Sequence, residues 1–240
     1  MAFVIKVPET KVIWEPITLS DTHPTTGLTT TFTFPRKMTA APLTSNGGIY
    51  TGSGPDGKAL WWPSFQERHK AINGGKLWWV QGHMLNDNVH GPGVPGNLVP
   101  ISGVLNTNME ALVEGGIKKW VAAGKALVYV VEAHWEGAAN RKDGNTGAAF
   151  HPEEMRKTYG LKDGGGSLLW GEQFAPTRLS WQVWFWNTDP ITGQLLSTPI
   201  INPFTMQPTG QTPDLVPIAS AYKGSIIHYD PSQWMNHFPG

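Results

Sequence analysis

The stretch GHMLNDNVHGPGVPGNLVPISGVLNTNMEALVE, from Gly82 to Glu114, decides how this chain is interpreted. A histidine, His83, precedes a segment rich in Asn, Gly and Pro, and an apolar run with helical spacing follows it. Gly, Pro and Asn are typical of turns because they adopt backbone angles that other residues disfavour. A loop that only had to turn would not need His83, Asn97, Asn106 and Glu114 together, so the segment indicates a functional site.

The composition excludes several classes of site. The chain has 240 residues, enough for a substantial core, and no cysteine, which rules out disulfides, a thiol nucleophile and cysteine-bound zinc. Charged residues make up 15% of the chain, below the usual quarter, and the formal net charge is zero. Bulk electrostatics therefore do not favour a polyanionic ligand, whereas a strong non-specific nucleic-acid binder is usually basic.

The N-terminal sequence MAFVIKVPETKVIWEPI lacks a long apolar segment after a basic start, so it does not predict a Sec signal. No run approaches 18 apolar residues, and the sequence therefore predicts no membrane-spanning helix and no membrane partner. We expect a cytoplasmic protein, or one delivered by a secretion or injection system that does not use a Sec signal.

Hydrophobic patterning predicts mainly strands. Thr-rich alternation over residues 3–48 predicts two or three strands, with turns at Asp21–Thr25 and at Pro35. The segment 86–104 is predicted to be a loop or an irregular strand. Further elements are predicted as strands at 76–84, 125–136 and 181–188 (the last buried on both faces), a short helix near Pro152–Tyr159, and a mostly irregular C-terminal third.

One longer helix is predicted over residues 108–124, where apolar side chains recur with helical spacing. Gly115 and Gly116 weaken its middle. Asn106 or Asn108 would be its N-cap, because Asn is favoured at that position.

The predicted fold class is α+β in a single domain, because strand signals continue on both sides of each Gly-rich stretch. The domain would have a β-rich N-terminal segment at 1–50, a core at 51–138, and an insertion with C-terminal strands at 139–240 that completes it.

The order of elements between 76 and 136 predicts that candidate catalytic residues lie close together at one end of a strand. His83 ends a strand, Asn106 lies near the helix start, and Glu114 follows eight residues later, about two helical turns on. An imidazole can take a proton from water near neutral pH. Amide oxygens and water are ligands that suit Mg²⁺, and Mg²⁺ can stabilise charge on a phosphate.

These residues resemble the motif of the DNA/RNA non-specific endonucleases, which have the ββα-metal (His-Me finger) fold. The matching elements are Gly82–His83, then Asn97-Leu98-Val99-Pro100, then Leu105–Asn106 nine residues after Asn97, and Glu114 eight residues further on. The variant GHMLNDNVHGPG followed by NLVPI is similar to a branch found in bacterial toxins and injected effectors. The resemblance covers about 60 residues, roughly 76–136.

The resemblance implies a ββα-metal core with an antiparallel sheet and β-rich N- and C-terminal extensions. It implies Mg²⁺-dependent (or Mn²⁺-dependent) hydrolysis of phosphodiester bonds in DNA or RNA, leaving a 5′-phosphate. His83 would be the general base, Asn106 the direct protein ligand of the metal, and Glu114 would orient a metal-bound water. Asn97 would fix the loop and the histidine. A toxin would also have an immunity or carrier protein as partner; the oligomeric state is not predicted.

The sequence departs from the family before Gly-His, where the family has Asp-Arg and this chain has Val80–Gln81. The arginine normally neutralises phosphate charge, which Gln81 cannot do. Other cations would have to contact the substrate, and aromatic rings could stack on its bases. The predicted substrate-binding residues are Gln81, Lys118, Lys119, His90 and Trp79, with Arg68, Lys70 and Lys76 as further cations.

Two alternatives stay open. The lost arginine, the zero net charge and the twelve tryptophans favour a catalytically inactive binding or structural protein of the same fold, with a glycan, a protein or its own copy as partner. Its Thr-rich strands and Pro-rich tail would also fit docking onto a larger assembly. Taken singly, His83, Asn97, Asn106 and Glu114 each have an ordinary structural explanation as loop, turn, cap and solvated helix residues.

Overall fold

The computed structural model describes residues 7–22, 27–63, 65, 79–135, 174–176, 178–189, 191–192, 194–198, 212–213, 215–218 and 223–227. Its strands are β1 (Val12–Thr22), β2 (Thr29–Leu43), β3 (Trp79–His83), β4 (Leu98–Ser102), β5 (Ala126–His134), β6 (Arg178–Trp186), β7 (Ser197–Thr198), β8 (Thr212–Pro213), β9 (Leu215–Pro217) and β10 (Lys223–Ile227). Two α-helical stretches, α1 (Gly103–Met109) and α2 (Gly115–Ala122), are joined by a π-helical turn at Glu110–Glu114. Single 3₁₀ turns lie at Asp87–Val89 and Pro95–Asn97.

The largest sheet has the strand order β1-β2-β5-β6-β10, and β9 also pairs with β6. Each of these pairings is antiparallel. The N-terminal strands β1 and β2 therefore share one sheet with β5, which follows the helix, and with strands near the C-terminus. The described residues form a mixed helix and sheet structure with antiparallel sheets, which confirms that part of the predicted fold class.

The segment from Gly82 to Glu114 begins in a separate two-stranded sheet. β3 and β4 pair antiparallel, with His83 opposite Leu98 and Gln81 opposite Pro100. Residues 84–97 connect the two strands, and α1 begins directly after β4. Residues 79–122 therefore form a hairpin followed by a helix, named here the hairpin–helix unit.

Two apolar clusters hold these parts together. The larger one lies between the main sheet, the hairpin and the helix, and its fully buried members include Met38, Leu127, Ile117 and Val113. The second is aromatic and packs Phe34, Trp61, Phe65 and Trp79 below the hairpin. In this cluster the rings of Phe65 and Trp79 meet edge to face, with centroids 5.2 Å apart.

Several strand predictions need correction. Pro35 is not a turn but lies inside β2, opposite Pro16 and beside a register shift. Pairing of β2 with β5 begins only at Lys37, so the missing N–H of Pro35 interrupts no ladder on that side. The predicted loop at 86–104 contains the regular strand β4. Strand β6 alternates, with Leu179, Trp181 and Val183 buried, so burial on both faces is wrong.

The helix starts five residues earlier than predicted, at Gly103 rather than 108. Asn106 and Asn108 therefore lie within the helix and are not its N-cap. Polar residues are accommodated there, since the Thr107 hydroxyl donates to Gly103 O one turn back at 3.0 Å. At Gly115, the π-helical turn places Glu110 O 3.1 Å from the position that a Cβ would take. A side chain would be crowded there, so glycine suits this position despite its low helix propensity.

The strands predicted at 76–84 and 125–136 are confirmed where the structure describes them, as β3 and β5. The turn residues 23–25, the short helix near Pro152–Tyr159 and the cations Arg68, Lys70 and Lys76 lie outside the described residues. Within the described part of the chain, no helix is both long and apolar enough to cross a membrane.

Candidate functional site

His83 is the last residue of β3, and its ring is held by a backbone carbonyl. The Nε2 atom lies 2.9 Å from Ser53 O. Because a carbonyl oxygen only accepts hydrogen bonds, Nε2 carries the proton in this contact. The neutral ring then has its unprotonated nitrogen at Nδ1, for which no hydrogen bond is recorded among the described residues. The imidazole is therefore oriented and keeps one basic nitrogen for chemistry.

The segment that supplies this carbonyl runs along the loop after β3. Ser53 N donates to Gly91 O at 3.2 Å, and Ser53 Oγ accepts from Gly93 N at 2.8 Å. A Cβ on Gly52 would lie 1.7 Å from Asp87 O, so only glycine permits this approach. No sequence signal pointed to Ser53. A contact between residues 30 apart leaves no periodic signal.

Asn97 is fully buried and organises the loop through both ends of its amide. Its Oδ1 accepts from Leu85 N at 2.8 Å and from Trp14 Nε1 at 3.3 Å. Its Nδ2 donates to Leu85 O at 2.9 Å and to Pro92 O at 3.0 Å. The residue therefore fixes the chain two residues beyond His83.

Asn106 lies in the first turns of the helix with an exposed side chain. Its Oδ1 is 3.7 Å from the position that a Cβ on Gly82 would take, so the amide oxygen lies beside the residue that precedes His83. The same imagined Cβ would lie 2.1 Å from Ile101 Cδ1. Gly82 therefore allows the hairpin to pack closely at this point and places the amide oxygen near the end of β3.

Glu114 is a buried acid, 7% exposed, on the π-helical turn. Its Oε2 accepts from Asn86 Nδ2 at 2.7 Å. Burial, followed by the hydrogen bond with Glu110, raises the pKa of Glu114 to about 7. Lys118 Nζ lies 2.5 Å from Glu110 Oε2 and holds the pKa of Glu110 below its ordinary value.

Tyr129 of β5 also belongs to the surroundings of Glu114. Its hydroxyl is buried, and no hydrogen-bond partner is recorded for it among the described residues. Burial, and to a lesser extent the charge of Glu114, raises the pKa of Tyr129 well above its ordinary value. The charge of a carboxylate at Glu114 is therefore opposed by burial and by Glu110, and favoured by Asn86 and Lys118.

The predicted substrate-binding residues are found in different environments. Gln81 lies in β3, and its Oε1 is buried with no partner recorded among the described residues. Lys118 is paired with Glu110, whereas Lys119 is exposed. The ring of His90 is bonded to Thr44 O at 2.9 Å, at the end of β2. Trp79 is fully buried, so the prediction that it stacks on a base is wrong.

The structure thus brings the four motif residues to one part of the hairpin–helix unit. His83 ends β3, the Asn106 oxygen lies beside Gly82 of the same strand, and Asn97 and Glu114 are bonded to the chain just after it. No group of three or more His, Asp or Glu side chains able to hold a metal ion occurs in the described part of the chain. The donor set nevertheless fits Mg²⁺, which keeps most of its waters and needs only one or two protein oxygens.

No protein-family model matches the chain, and no curated protein is similar to it. Two crystal structures of NucA from Streptococcus agalactiae are similar, one with no metal bound and one with a magnesium ion bound. They are 11% and 12% identical, with TM-scores of 0.32 and 0.33, and the matches cover 76% of this chain and 78% and 80% of NucA. Values this low establish neither a common fold nor a common activity.

Proposed function

We propose that the hairpin–helix unit is the ββα-metal core of a nuclease that uses Mg²⁺ to hydrolyse phosphodiester bonds of DNA or RNA. One observation carries the proposal: the His83 ring at the end of β3 is held through Nε2 by Ser53 O, which leaves Nδ1 as a base for which no partner is recorded among the described residues. The exposed Asn106 amide oxygen lies 3.7 Å from the Cβ position of Gly82, the residue before His83, and would be the metal ligand. General base catalysis requires both an oriented nitrogen and a nearby site for the substrate.

In the proposed reaction, His83 Nδ1 takes a proton from a water molecule that attacks the phosphorus atom. The bond to the 3′-oxygen breaks and that oxygen takes a proton from a solvent water, which leaves a 5′-phosphate on one fragment and a 3′-hydroxyl on the other. Asn106 Oδ1 would hold the metal ion, which when bound stabilises charge on the phosphate and on the leaving oxygen. Mn²⁺ would substitute for Mg²⁺ because both accept oxygen ligands.

Two other residues support these steps. The Glu114 carboxylate would accept a hydrogen bond from a metal-bound water and so orient it. Asn97 would keep the loop in place, as its four hydrogen bonds indicate. Lys119 is exposed and would supply positive charge toward phosphate in place of the family's arginine, since Lys118 is engaged by Glu110.

By its resemblance to the toxin branch, the proposed setting is that of a bacterial toxin or injected effector. An immunity or carrier protein would then be its protein partner. Such a partner would need to cover the end of β3, where His83 and Asn106 are accessible to a polymer.

The test of the proposal is cleavage of supercoiled plasmid and of a folded RNA with Mg²⁺, Mn²⁺ or EDTA. Asn106→Ala is compared with Asn108→Ala, an exposed asparagine two residues along the same helix. We expect metal-dependent cleavage that falls by at least about 100-fold in Asn106→Ala and stays near wild type in Asn108→Ala. Equal rates in both variants, or cleavage that persists in EDTA, would contradict the proposal.

A second candidate function is a binding or structural protein without catalysis. It is favoured by a groove of about 560 Å³ with aromatic walls that include Trp14, Phe34 and Trp61. Leu60 at its rim is 87% exposed. This function predicts no cleavage by folded wild type with either metal, together with loss of glycan binding, protein binding or self-assembly in Leu60→Ser.

A further inference from the structure

We infer that Asn86 is a positioning residue of the proposed nuclease centre: its side-chain amide joins Glu114 on the helix to the turn that follows His83. The effect on cleavage rests on the proposed function. The contact between Asn86 and Glu114, called the joint below, does not rest on the proposed function. It connects two parts of the fold and can be measured without any reaction.

The amide of Asn86 has a different partner at each end. Its Nδ2 donates to Glu114 Oε2 at 2.7 Å, which connects residues 28 apart in the chain. Its Oδ1 accepts from Asn88 N at 2.9 Å and so caps the 3₁₀ turn at Asp87–Val89. One end therefore stabilises the turn, and the other holds a buried carboxylate.

Few side chains can replace asparagine here. Aspartate has the same length and keeps the accepting oxygen for Asn88 N, but it offers no donor to Glu114 and adds a second negative charge. Alanine removes both contacts. The substitution Asn86→Asp therefore separates the contact with Glu114 from the capping of the turn.

The joint is connected to His83 through a short and well-held piece of chain. Met84 N donates to Asn97 O at 2.9 Å, and Leu85 is bonded to the Asn97 side chain through both its N–H and its carbonyl. Asn86 follows immediately and contacts the helix. The strand end that carries the imidazole is thus linked to the carboxylate on the helix through Met84, Leu85 and Asn86.

The charges around Glu114 explain why this donor matters. Glu110 and Lys118 face it from its own helix, Tyr129 from β5, and Asn86 from the loop. Burial and Glu110 raise the pKa of Glu114, whereas the hydrogen bond from Asn86 lowers it. Without Asn86, the carboxylate would be harder to ionise and free to turn away from a metal-bound water.

The experiment compares wild type with Asn86→Asp and with Asn88→Ala. Asn88 is exposed, and its Nδ2 donates to Asn86 Oδ1 at 3.2 Å and to Asp87 Oδ1 at 3.0 Å. Asn88→Ala therefore removes a contact at the capping end of Asn86 but keeps the donor to Glu114, which makes it the matched control. Cleavage is measured from pH 5 to 9 as kcat and KM, and the Glu114 carboxyl is titrated by ¹³C NMR. In Asn86→Asp we expect the acid limb of kcat and the NMR midpoint to move up by about one pH unit or more. At pH 7 we expect kcat to fall about 10- to 100-fold with KM unchanged, and no change in Asn88→Ala.

The double variant Asn86→Asp with Glu114→Gln covers the case in which Asn86→Asp does not fold. It exchanges donor and acceptor across the same contact, so we expect Tm to return toward wild type while cleavage stays low. An unmoved Glu114 midpoint in Asn86→Asp, or a double variant with a lower Tm than the single one, would overturn the inference. Absence of cleavage by folded wild type would overturn the nuclease proposal and Asn86's role in it, while the NMR titration would still show whether the joint exists.

Discussion

Asn97 is the residue on which the geometry of the loop depends most. It is buried and makes four hydrogen bonds, two as acceptor and two as donor. The Asn97→Ala substitution would leave Leu85 N and Leu85 O without their partners inside the fold, and orphaned buried groups are costly. We expect the free energy of unfolding to fall by about 2 to 4 kcal/mol, measured by urea denaturation. Asn88→Ala should change it by less than about 0.5 kcal/mol, and a similar small loss in Asn97→Ala would contradict this account.

Glu114 predicts a specific dependence of stability on pH. Its pKa in the folded state is about 7, above its ordinary value of 4.5. The folded protein therefore holds this proton more tightly than the unfolded chain, and the resulting stability is present below about pH 4 and lost as the pH rises through 7.

The Glu114→Gln substitution removes the buried charge but keeps an oxygen that can accept from Asn86. We expect the variant to be more stable than wild type at pH 8 by about 2 to 3 kcal/mol, with the difference shrinking toward pH 5. Urea unfolding at the two pH values checks this. Wild-type and variant stabilities that run parallel from pH 5 to 8 would contradict it.

At the scale of elements, close packing of the hairpin depends on a residue without a side chain. A Cβ on Gly82 would overlap the Ile101 side chain, at 2.1 Å from Cδ1. We expect Gly82→Ala to destabilise the protein by about 1 to 3 kcal/mol and to reduce cleavage, because Asn106 packs beside the same position. Thermal unfolding and the cleavage rate measure the two effects.

Gly96→Ala is the matched control for this prediction. Gly96 lies in the loop that joins β3 and β4, and a Cβ on it would meet no atom within 4 Å. Its effect on stability should be neutral or slightly positive, since alanine restricts the unfolded chain more than glycine does. If both glycine substitutions have the same effect, close packing at Gly82 is not what holds the hairpin.

The elements differ in how far the sequence revealed them. β5 is a continuous apolar run and was predicted within two residues at its C-terminal end. β4 was missed as a regular strand because Pro100 and the preceding Gly and Pro residues are typical of loops, yet Pro100 lies in a two-stranded sheet where one side needs no donor. The helix start was missed because Asn and Thr in the first turns are typical of caps.

In the candidate site, too, some residues could be predicted from the sequence and others could not. The spacing of His83, Asn97, Asn106 and Glu114 was visible in the sequence, because all four lie within one continuous segment. Ser53 and Asn86 were not assigned roles, since each acts on a side chain about 30 residues away. Contacts of that range depend on the packing of the loop, which no periodic pattern encodes.

At the scale of the whole molecule, charge limits how the protein can hold nucleic acid. The formal net charge is zero, with 18 basic and 18 acidic residues. Among the described residues, several cations already lie within 3.5 Å of a carboxylate, namely Arg36, Lys37, Lys58 and Lys118. Few phosphates would then be neutralised, and few counterions released on binding.

We therefore expect the affinity of the protein for a DNA oligonucleotide, measured in EDTA, to depend only weakly on salt concentration. The slope of log K against log salt concentration should be no steeper than about −3, measured by fluorescence anisotropy. A slope of about −6 or steeper would mean that a basic surface forms elsewhere in the chain, and that the binding mode argued from charge is wrong.

The central claim is that His83 is the base of a metal-dependent nuclease, and one measurement tests it most directly. Plasmid cleavage with Mg²⁺ is compared between wild type, His83→Asn and His90→Asn, each checked by circular dichroism for the wild-type fold. Both histidines bond to a backbone carbonyl through Nε2, and asparagine tolerates the left-handed backbone of residue 90, where φ is 76°. The account predicts loss of cleavage by at least about 100-fold in His83→Asn and a smaller loss in His90→Asn, which was predicted only to contact the substrate. Equal activity in the two variants, or no cleavage by folded wild type, would contradict it.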